Sequence, residues 1–188
     1  GTDMAAGKMT VGLELYSYLK EKQINAGFVA TGQVGITVTG RGIPLDAYKL
    51  DHACGAVESA VIEQKDKDIV IVEGQGSILH PGSTATLPLM RGTCPTHMIL
   101  CHIARNDSLR SLENIKIPDL KKFIKLNEEL ASVIGTFPDA KVIGIAINST
   151  LMTDEAAKEY IKKTEEETGL PVTDVVRYGG DKIFSKLI

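Results

Sequence analysis

Gly1-Thr2-Asp3-Met4-Ala5-Ala6-Gly7-Lys8-Met9-Thr10 brings two glycines, a lysine and two hydroxyls into one short opening segment. Glycines let a backbone curl without side-chain clashes, and backbone N–H groups at a helix start form a site for anions. Lys8 adds a full positive charge where phosphate oxygens would rest. The segment reads as a phosphate loop, and Gly1, Thr2, Asp3, Gly7, Lys8, Met9 and Thr10 are its candidate ligand-binding residues.

The loop departs from the usual pattern in two ways. Five residues separate Gly1 from Gly7 instead of four, and Met9 stands where Ser or Thr ordinarily holds magnesium. The hydroxyl comes one position later, at Thr10, and one step turns a helical side chain by about 100°. That displacement favours anchoring a phosphate-bearing cofactor over simple magnesium–ATP hydrolysis.

Further candidates lie where strands should end. Glu73 follows the apolar run Asp68-Ile-Val-Ile-Val72 and precedes Gly74-Gln75-Gly76. A carboxylate at the C-terminal end of a central parallel strand sits beside a phosphate loop, where it can bind Mg2+ through water or act as a base. The same residue also fits a solvated turn. His80 is a candidate proton acceptor for an attacking amine, or a structural residue of its loop. Gln33 and Arg41, in the glycine-rich stretch 31–42, join Gln75 and Arg105 as candidates for binding substrate carboxylates or phosphates. Asp51 fits a metal site or a helix N-cap equally.

These residues need elements to hold them. Met9, Leu13, Leu15, Tyr16 and Leu19 have helical spacing, and a strand is expected over 26–31. Residues 31–42 read as a loop and 50–64 as a helix. The β-branched run 68–72 has the pattern of a strand buried on both faces. More strands are expected at 97–103, 141–147 and 171–176, and helices at 117–135, opening at Pro118, and 153–168. The charge-rich stretch 154–167 reads as a solvated helix face. Alternating strands and helices predict an α/β fold, a P-loop-like, mostly parallel sheet of about five strands with helices on both faces. The ligand cleft should lie over the strand ends that carry the loop, Glu73, His102 and Asn148.

Composition narrows the classes. The 188 residues suffice for one domain, and a net charge of −3 gives no reason to expect nucleic acid as a partner. No apolar run is long enough for a membrane span. Cys54, Cys94 and Cys101 lack a disulfide or zinc spacing, which favours a reducing cytoplasm. His52 and Cys54 fit either a metal pair or incidental neighbours. A phosphate loop is normally fed by a buried strand, so residues 1–188 are expected to be the C-terminal part of a longer protein.

Two resemblances follow from these motifs. The Gly-Thr-Asp opening with five spacers resembles the loop of dethiobiotin synthetase, a P-loop enzyme of a class that often works as dimers. That resemblance implies ATP, Mg2+ held by Thr10, Asp51 and Glu73, and a homo-oligomer. Asn148 resembles the base-recognising asparagine of related nucleotide enzymes, and also fits a turn. More closely, Gly-Thr-Asp…Gly-Lys-Met-Thr, Ala30-Thr-Gly-Gln-Val-Gly35, Gly55-Ala-Val-Glu58 and Glu73-Gly-Gln-Gly-Ser77 resemble a P-loop family with members assigned as D-glutamate N-acetyltransferases. The likeness continues through Gly144-Ile-Ala-Ile-Asn148 and Thr168-Gly-Leu-Pro171. It implies an N-terminal Rossmann-like domain, acetyl-CoA as acyl donor and a small amino-acid substrate. Three readings stand: acetyl transfer to an amino acid, an ATP-dependent ligase or kinase, and a non-catalytic nucleotide-binding domain.

Overall fold

α1 (Lys8–Glu21) starts from a Gly7 N-cap held at φ +95°. Glycine takes that left-handed geometry without a Cβ penalty, so Gly7 swings the chain from loop into helix. Val11, Leu15 and Leu19 form its buried stripe at four-residue spacing, so the expected stripe is corrected: Val11 turns inward, while Met9, Leu13 and Tyr16 are only half-buried. The fully buried β1 (Ala26–Val29) follows, then α2 (Gln33–Thr39), α3 (Leu50–Ile62), β2 (Ile69–Val72), α4 (Thr86–Thr93) and β3 (His97–Ile103). The hairpin strands β4 (Ser108–Leu109) and β5 (Leu112–Lys116) come next, then α5 (Leu120–Ser132), β6 (Lys141–Asn148) and α6 (Asp154–Thr168). The chain closes with β7 (Val172–Thr173), α7 (Val175–Tyr178) and α8 (Asp181–Phe184). The structure, a computed structural model, describes residues 1–104 and 107–188, so Arg105 lies outside the described residues.

Parallel sheets flanked by helices give the expected α/β, P-loop-like architecture. β1 pairs with β2, and β3-β6-β7 form a second parallel sheet. One core joins the two: Val11 and Leu15 of α1 pack with Phe28, Ile71, Cys101 and Ala146, and with Ile183 and Phe184 of α8. A second core sets Leu100, Ile145 and Ile147 against Phe123 of α5 and Ile161 of α6. A third holds Val57 of α3 and Leu89 of α4, with Val72 packed against it. Since neighbouring strand residues point to opposite faces, Ile71 and Val72 serve different cores.

Several elements differ from their sequence-based outline. Residues 33–39 form α2 where a loop was expected. Gly40 closes that helix in the left-handed region at φ +76°, and the Glu73 carboxylate sits at its N-terminus. α4 is absent from the sequence outline because Pro88 and Gly92 argue against a helix. α5 opens on Asp119, whose side chain accepts the N–H of Lys122 as an N-cap, so the helix starts after Pro118. The last strand stops at Thr173 because Asp174 accepts N–H bonds from Val176 and Arg177 and caps α7. The run 69–72 is half-buried apart from Ile71, not buried on both faces. α6 is solvated as expected: Ala157, Ile161 and Thr164 turn inward while Lys158–Asp154, Lys162–Glu166 and Lys163–Glu167 pair outside.

Close packing of α3 on α4 depends on Gly92, where a Cβ would lie 2.3 Å from the Cys54 carbonyl and 2.6 Å from Val57 Cβ. Gly92→Ala is expected to cost roughly 1–3 kcal/mol in urea unfolding. An unchanged midpoint would show that the two helices do not touch this closely.

Candidate functional site

The loop buries the side chains of Thr2, Asp3 and Ala6 and leaves Met4 and Ala5 exposed. The first N–H groups of α1 have no intrahelical partner, and Gly7 offers them no side-chain cap. Lys8 Nζ donates to the carbonyls of Asp3 (2.8 Å) and Met4 (2.7 Å), which holds the ammonium across the loop. Burial pulls the Lys8 pKa below its usual value, with Cys101, Asp3 and Glu73 opposing that shift. A partly desolvated cation beside uncapped amides is a strong attractor for phosphate. Met9 and Thr10 are half-buried in the first turn of α1.

Thr2 and Asp3 have structural partners. The fully buried Thr2 shares a hydrogen bond between its Oγ1 and His102 Nδ1 at 2.9 Å, and His102 Nε2 meets the Tyr160 hydroxyl at 2.7 Å. Thr2 N–H also donates to the Cys101 carbonyl. Asp3 accepts the N–H of Met4 on one oxygen and that of Arg110, in the β4–β5 turn, on the other. His102 was expected on the cleft; it lies 2 % exposed beneath the loop instead. Tyr160, Arg110 and Asp174 were not singled out by sequence reasoning, and Thr2 and His102 are a hundred residues apart, beyond any local motif.

Glu73 is buried at the end of β2, and its Oε2 accepts the N–H groups of Thr31 (2.9 Å) and Gly32 (3.2 Å). Thr31 Oγ1 in turn donates to the Glu73 carbonyl. The second oxygen, Oε1, has no hydrogen bond among the described residues. It borders Gly32 together with Gln75 Oε1: a Cβ built on Gly32 would meet these oxygens at 3.5 and 3.2 Å. Gly74, between the two side chains, lies against the Lys8 stem, 3.0 Å from Cδ to a built Cβ. Loop, Lys8, Glu73 and Gln75 therefore form one wall.

The other candidates lie elsewhere. Arg41 and Asp51 line a separate cavity of about 740 Å³ with Tyr48 and His52, along β1 and α3, and neither the loop nor Glu73 borders it. Gln33 Nε2 donates to Asp46 at the exposed start of α2. His80 Nδ1 accepts the Gly82 N–H, which leaves its proton on Nε2 and ties the ring into its own turn. Asn148 Oδ1 accepts from the N–H and hydroxyl of Thr150, an Asx-type turn at the end of β6. Among the described residues no group of three or more His, Cys, Asp or Glu is placed to hold a metal ion, and no helix is long and apolar enough to cross a membrane. All three cysteines are free.

Two outcomes follow from this geometry. Burial pushes the His102 pKa down from 6.5 to about 4. A folded value below the unfolded one makes stability fall as pH drops through that window, by on the order of 3 kcal/mol in all. His102→Gln should flatten the pH dependence of Tm between pH 6.5 and 4, and an unchanged curve would contradict a neutral buried ring. Gly35 lies so near Glu73 Oε2 that a built Cβ would be 2.3 Å away. Gly35→Ala should displace the carboxylate and lower stability by roughly 1–3 kcal/mol, with strong non-additivity against Glu73→Gln in a double-mutant cycle; additive losses would break that link.

Comparison with known proteins places this geometry in a family. Residues 1–184 match the family model described as "Domain of unknown function (DUF1611_C) P-loop domain". The chain is 34% identical over 188 residues to a protein of Pseudoalteromonas sp named D-glutamate N-acetyltransferase, covering 100% of this chain and 56% of that one. A Tritonibacter scottomollicae protein of the same name matches with the same identity and coverage. The crystal structure of a DUF1611 family protein from Anabaena variabilis superposes with a TM-score of 0.97 at 47% identity, covering 100% of this chain and 55% of that one. The chain thus spans little more than half the length of these relatives. With its glycine-started helix, Lys8 and the match across nearly all its residues, the chain belongs to the DUF1611 P-loop family.

Proposed function

We propose that this domain is the donor-binding part of an N-acetyltransferase that moves an acetyl group from acetyl-CoA to the amine of D-glutamate or a similar amino acid. One observation carries the reading: a phosphate cradle and a buried carboxylate with one unbonded oxygen share a wall, in a chain alike from end to end to two proteins named for that reaction. The donor set fits the donor's phosphates, because uncapped α1 amides and the Lys8 ammonium are all hydrogen-bond donors.

In this reading Lys8 and the loop N–H groups hold the pyrophosphate of coenzyme A. The thioester supplies an acyl carbon open to attack by a neutral amine. Glu73 Oε1 removes the ammonium proton, since Oε2 is occupied by Thr31 and Gly32. The amine lone pair forms the new C–N bond as the C–S bond breaks; the second nitrogen proton passes to the departing thiolate, which leaves as coenzyme A, and Glu73 returns its proton to solvent. The Gln75 side chain, beside Glu73 at Gly32, offers an amide for a substrate carboxylate. Thr10 and Asp51, which the magnesium reading pairs with Glu73, have no part in this scheme.

The full-length protein mixed with acetyl-CoA and D-glutamate should release coenzyme A, read with a thiol reagent. Lys8→Ala should raise KM for acetyl-CoA about tenfold or more, which corresponds to about 1.4 kcal/mol of lost phosphate binding. Glu73→Gln should lower kcat with little change in that KM. Failure to release coenzyme A across a panel of D- and L-amino acids would overturn the reading, and Mg2+-dependent ATP turnover in its place would assign the ligase chemistry.

A further inference from the structure

The phosphate loop meets a second element besides α1. Asp3, 5 % exposed, accepts the Arg110 N–H on Oδ2 at 2.8 Å, which ties the β4–β5 turn directly to the loop. The other Asp3 oxygen accepts the N–H of Met4. The carbonyl of the same residue accepts from Lys8 Nζ at 2.8 Å. Asp3 thus stands between the ammonium of Lys8 and the backbone of Arg110.

The hairpin that carries Arg110 is held at its root as well as at its tip. Leu109 is 1 % exposed and pairs with Leu112, while Ser108 pairs with Lys116. The Ile117 N–H closes the base of the hairpin on the Asp107 carbonyl. Arg110 and Ser111 alone form the turn between the strands, and both are exposed. Among the described residues the Arg110 guanidinium has no hydrogen bond and no ion pair. A surface arginine with a free head is ordinary. What sets Arg110 apart is the bond that fixes its backbone on the phosphate loop.

Counting donors shows what the loop lacks. An ammonium has three N–H donors, and Lys8 gives two of them to the Asp3 and Met4 carbonyls. One remains for a ligand. The buried Asp3 carboxylate also repels an anion at the loop, and its described partners are both backbone N–H groups. The α1 amides and the remaining Lys8 N–H serve a single phosphate. A pyrophosphate brings more charge and more oxygens, and a planar guanidinium with five donors can take two of them at once.

We propose that Arg110 is a second phosphate-binding cation of the loop. It clamps one phosphate of a pyrophosphate group while the other lies on the α1 amides and Lys8. The loop therefore selects pyrophosphate-bearing compounds over those with one phosphate. This rests on the reading of the loop as a ligand site given above, and not on acetyl transfer.

Calorimetric titration of the full-length natural protein with inorganic pyrophosphate and with inorganic phosphate tests it. Arg110→Ala should weaken pyrophosphate binding about tenfold or more and phosphate binding far less. The Tm of the unliganded protein should not move, because the side chain is exposed. Arg110→Lys should restore part of the loss, since the charge returns without the fork. In an Asp3→Ala background, where the turn is released, Arg110→Ala should add little. Lys116→Ala, at an exposed lysine of the same hairpin, should leave affinity unchanged. Unchanged affinity in Arg110→Ala overturns the proposal, as do an equal loss from Lys116→Ala, equal losses for both anions, or additive losses with Asp3→Ala. Acetyl-CoA and ATP titrated in parallel identify the source of the pyrophosphate: a loss for either with Arg110→Ala supports the clamp, and a loss for neither overturns it. Failure of the unaltered protein to bind pyrophosphate overturns both the clamp and the reading of the loop. Arg110-dependent binding without coenzyme A release upholds the clamp and sinks acetyl transfer alone.

Discussion

The buried carboxylate of Glu73 ties the ends of two strands to the start of a helix, and the site is assembled around that tie. Thr31 and Gly32 N–H groups point into a covered region, where a donor without a partner costs about 1–3 kcal/mol. Glu73 Oε2 takes both, and Thr31 returns a hydroxyl bond to the Glu73 carbonyl. A negative charge at the N-terminus of α2 also favours that short helix, whose Val, Ile and Thr residues are poor helix formers. Gly35 has to be a glycine for the carboxylate to fit against α2. Once β1 and β2 are clamped in this way, Gly74 and Gln75 are placed beside Lys8 and the loop.

The inward-facing loop side chains set the character of the ligand site. Thr2 is bonded to His102 and Asp3 to the β4–β5 turn, so neither hydroxyl nor carboxylate is presented to a ligand. Backbone amides and one ammonium remain, groups that suit a phosphate whatever it is attached to. Discrimination must therefore come from the neighbouring wall, where Glu73 Oε1 and Gln75 supply an acceptor and an amide. The neutral His102, bonded on both ring nitrogens, makes the floor of the loop rigid and keeps a second charge away from Lys8.

Local patterns were readable in the sequence; long-range partners were not. The Gly7 helix start and the existence of α1 follow from glycine chemistry and helical spacing, and the apolar strand runs from β-branched composition, whereas the inward face of α1 is set by the strands it meets, which select Val11 over Met9. α2 depends on a carboxylate about forty residues downstream, and α4 forms despite Pro88 and Gly92 because Val57 and Leu89 bury its contact with α3. Asp174 ends β7 by capping α7 and bonding Ser149, a choice between two local structures that residue types alone leave undecided. The candidate positions divide in the same way. The apolar run places Glu73 at a strand end, where the structure has it, whereas Arg41 and Asp51 share a cavity on α3 that only the fold brings together.

The loop lies where the two parallel sheets approach each other, so a ligand bound there, as proposed above, would be linked to the spacing of the sheets. α1 packs on strands from both sheets, and Thr2 bonds β3 while Lys8 lies against Gly74 after β2. Any shift of β2 relative to β3 therefore moves the ammonium and Glu73 relative to the loop amides. A phosphate-bearing ligand that contacts groups on both sides binds best to one spacing, and by linkage it stabilises that spacing to the same extent. In the proposed reading, anchoring by phosphate would therefore do more than hold a cofactor: it would also fix the spacing between the β1-β2 and β3-β6-β7 sheets.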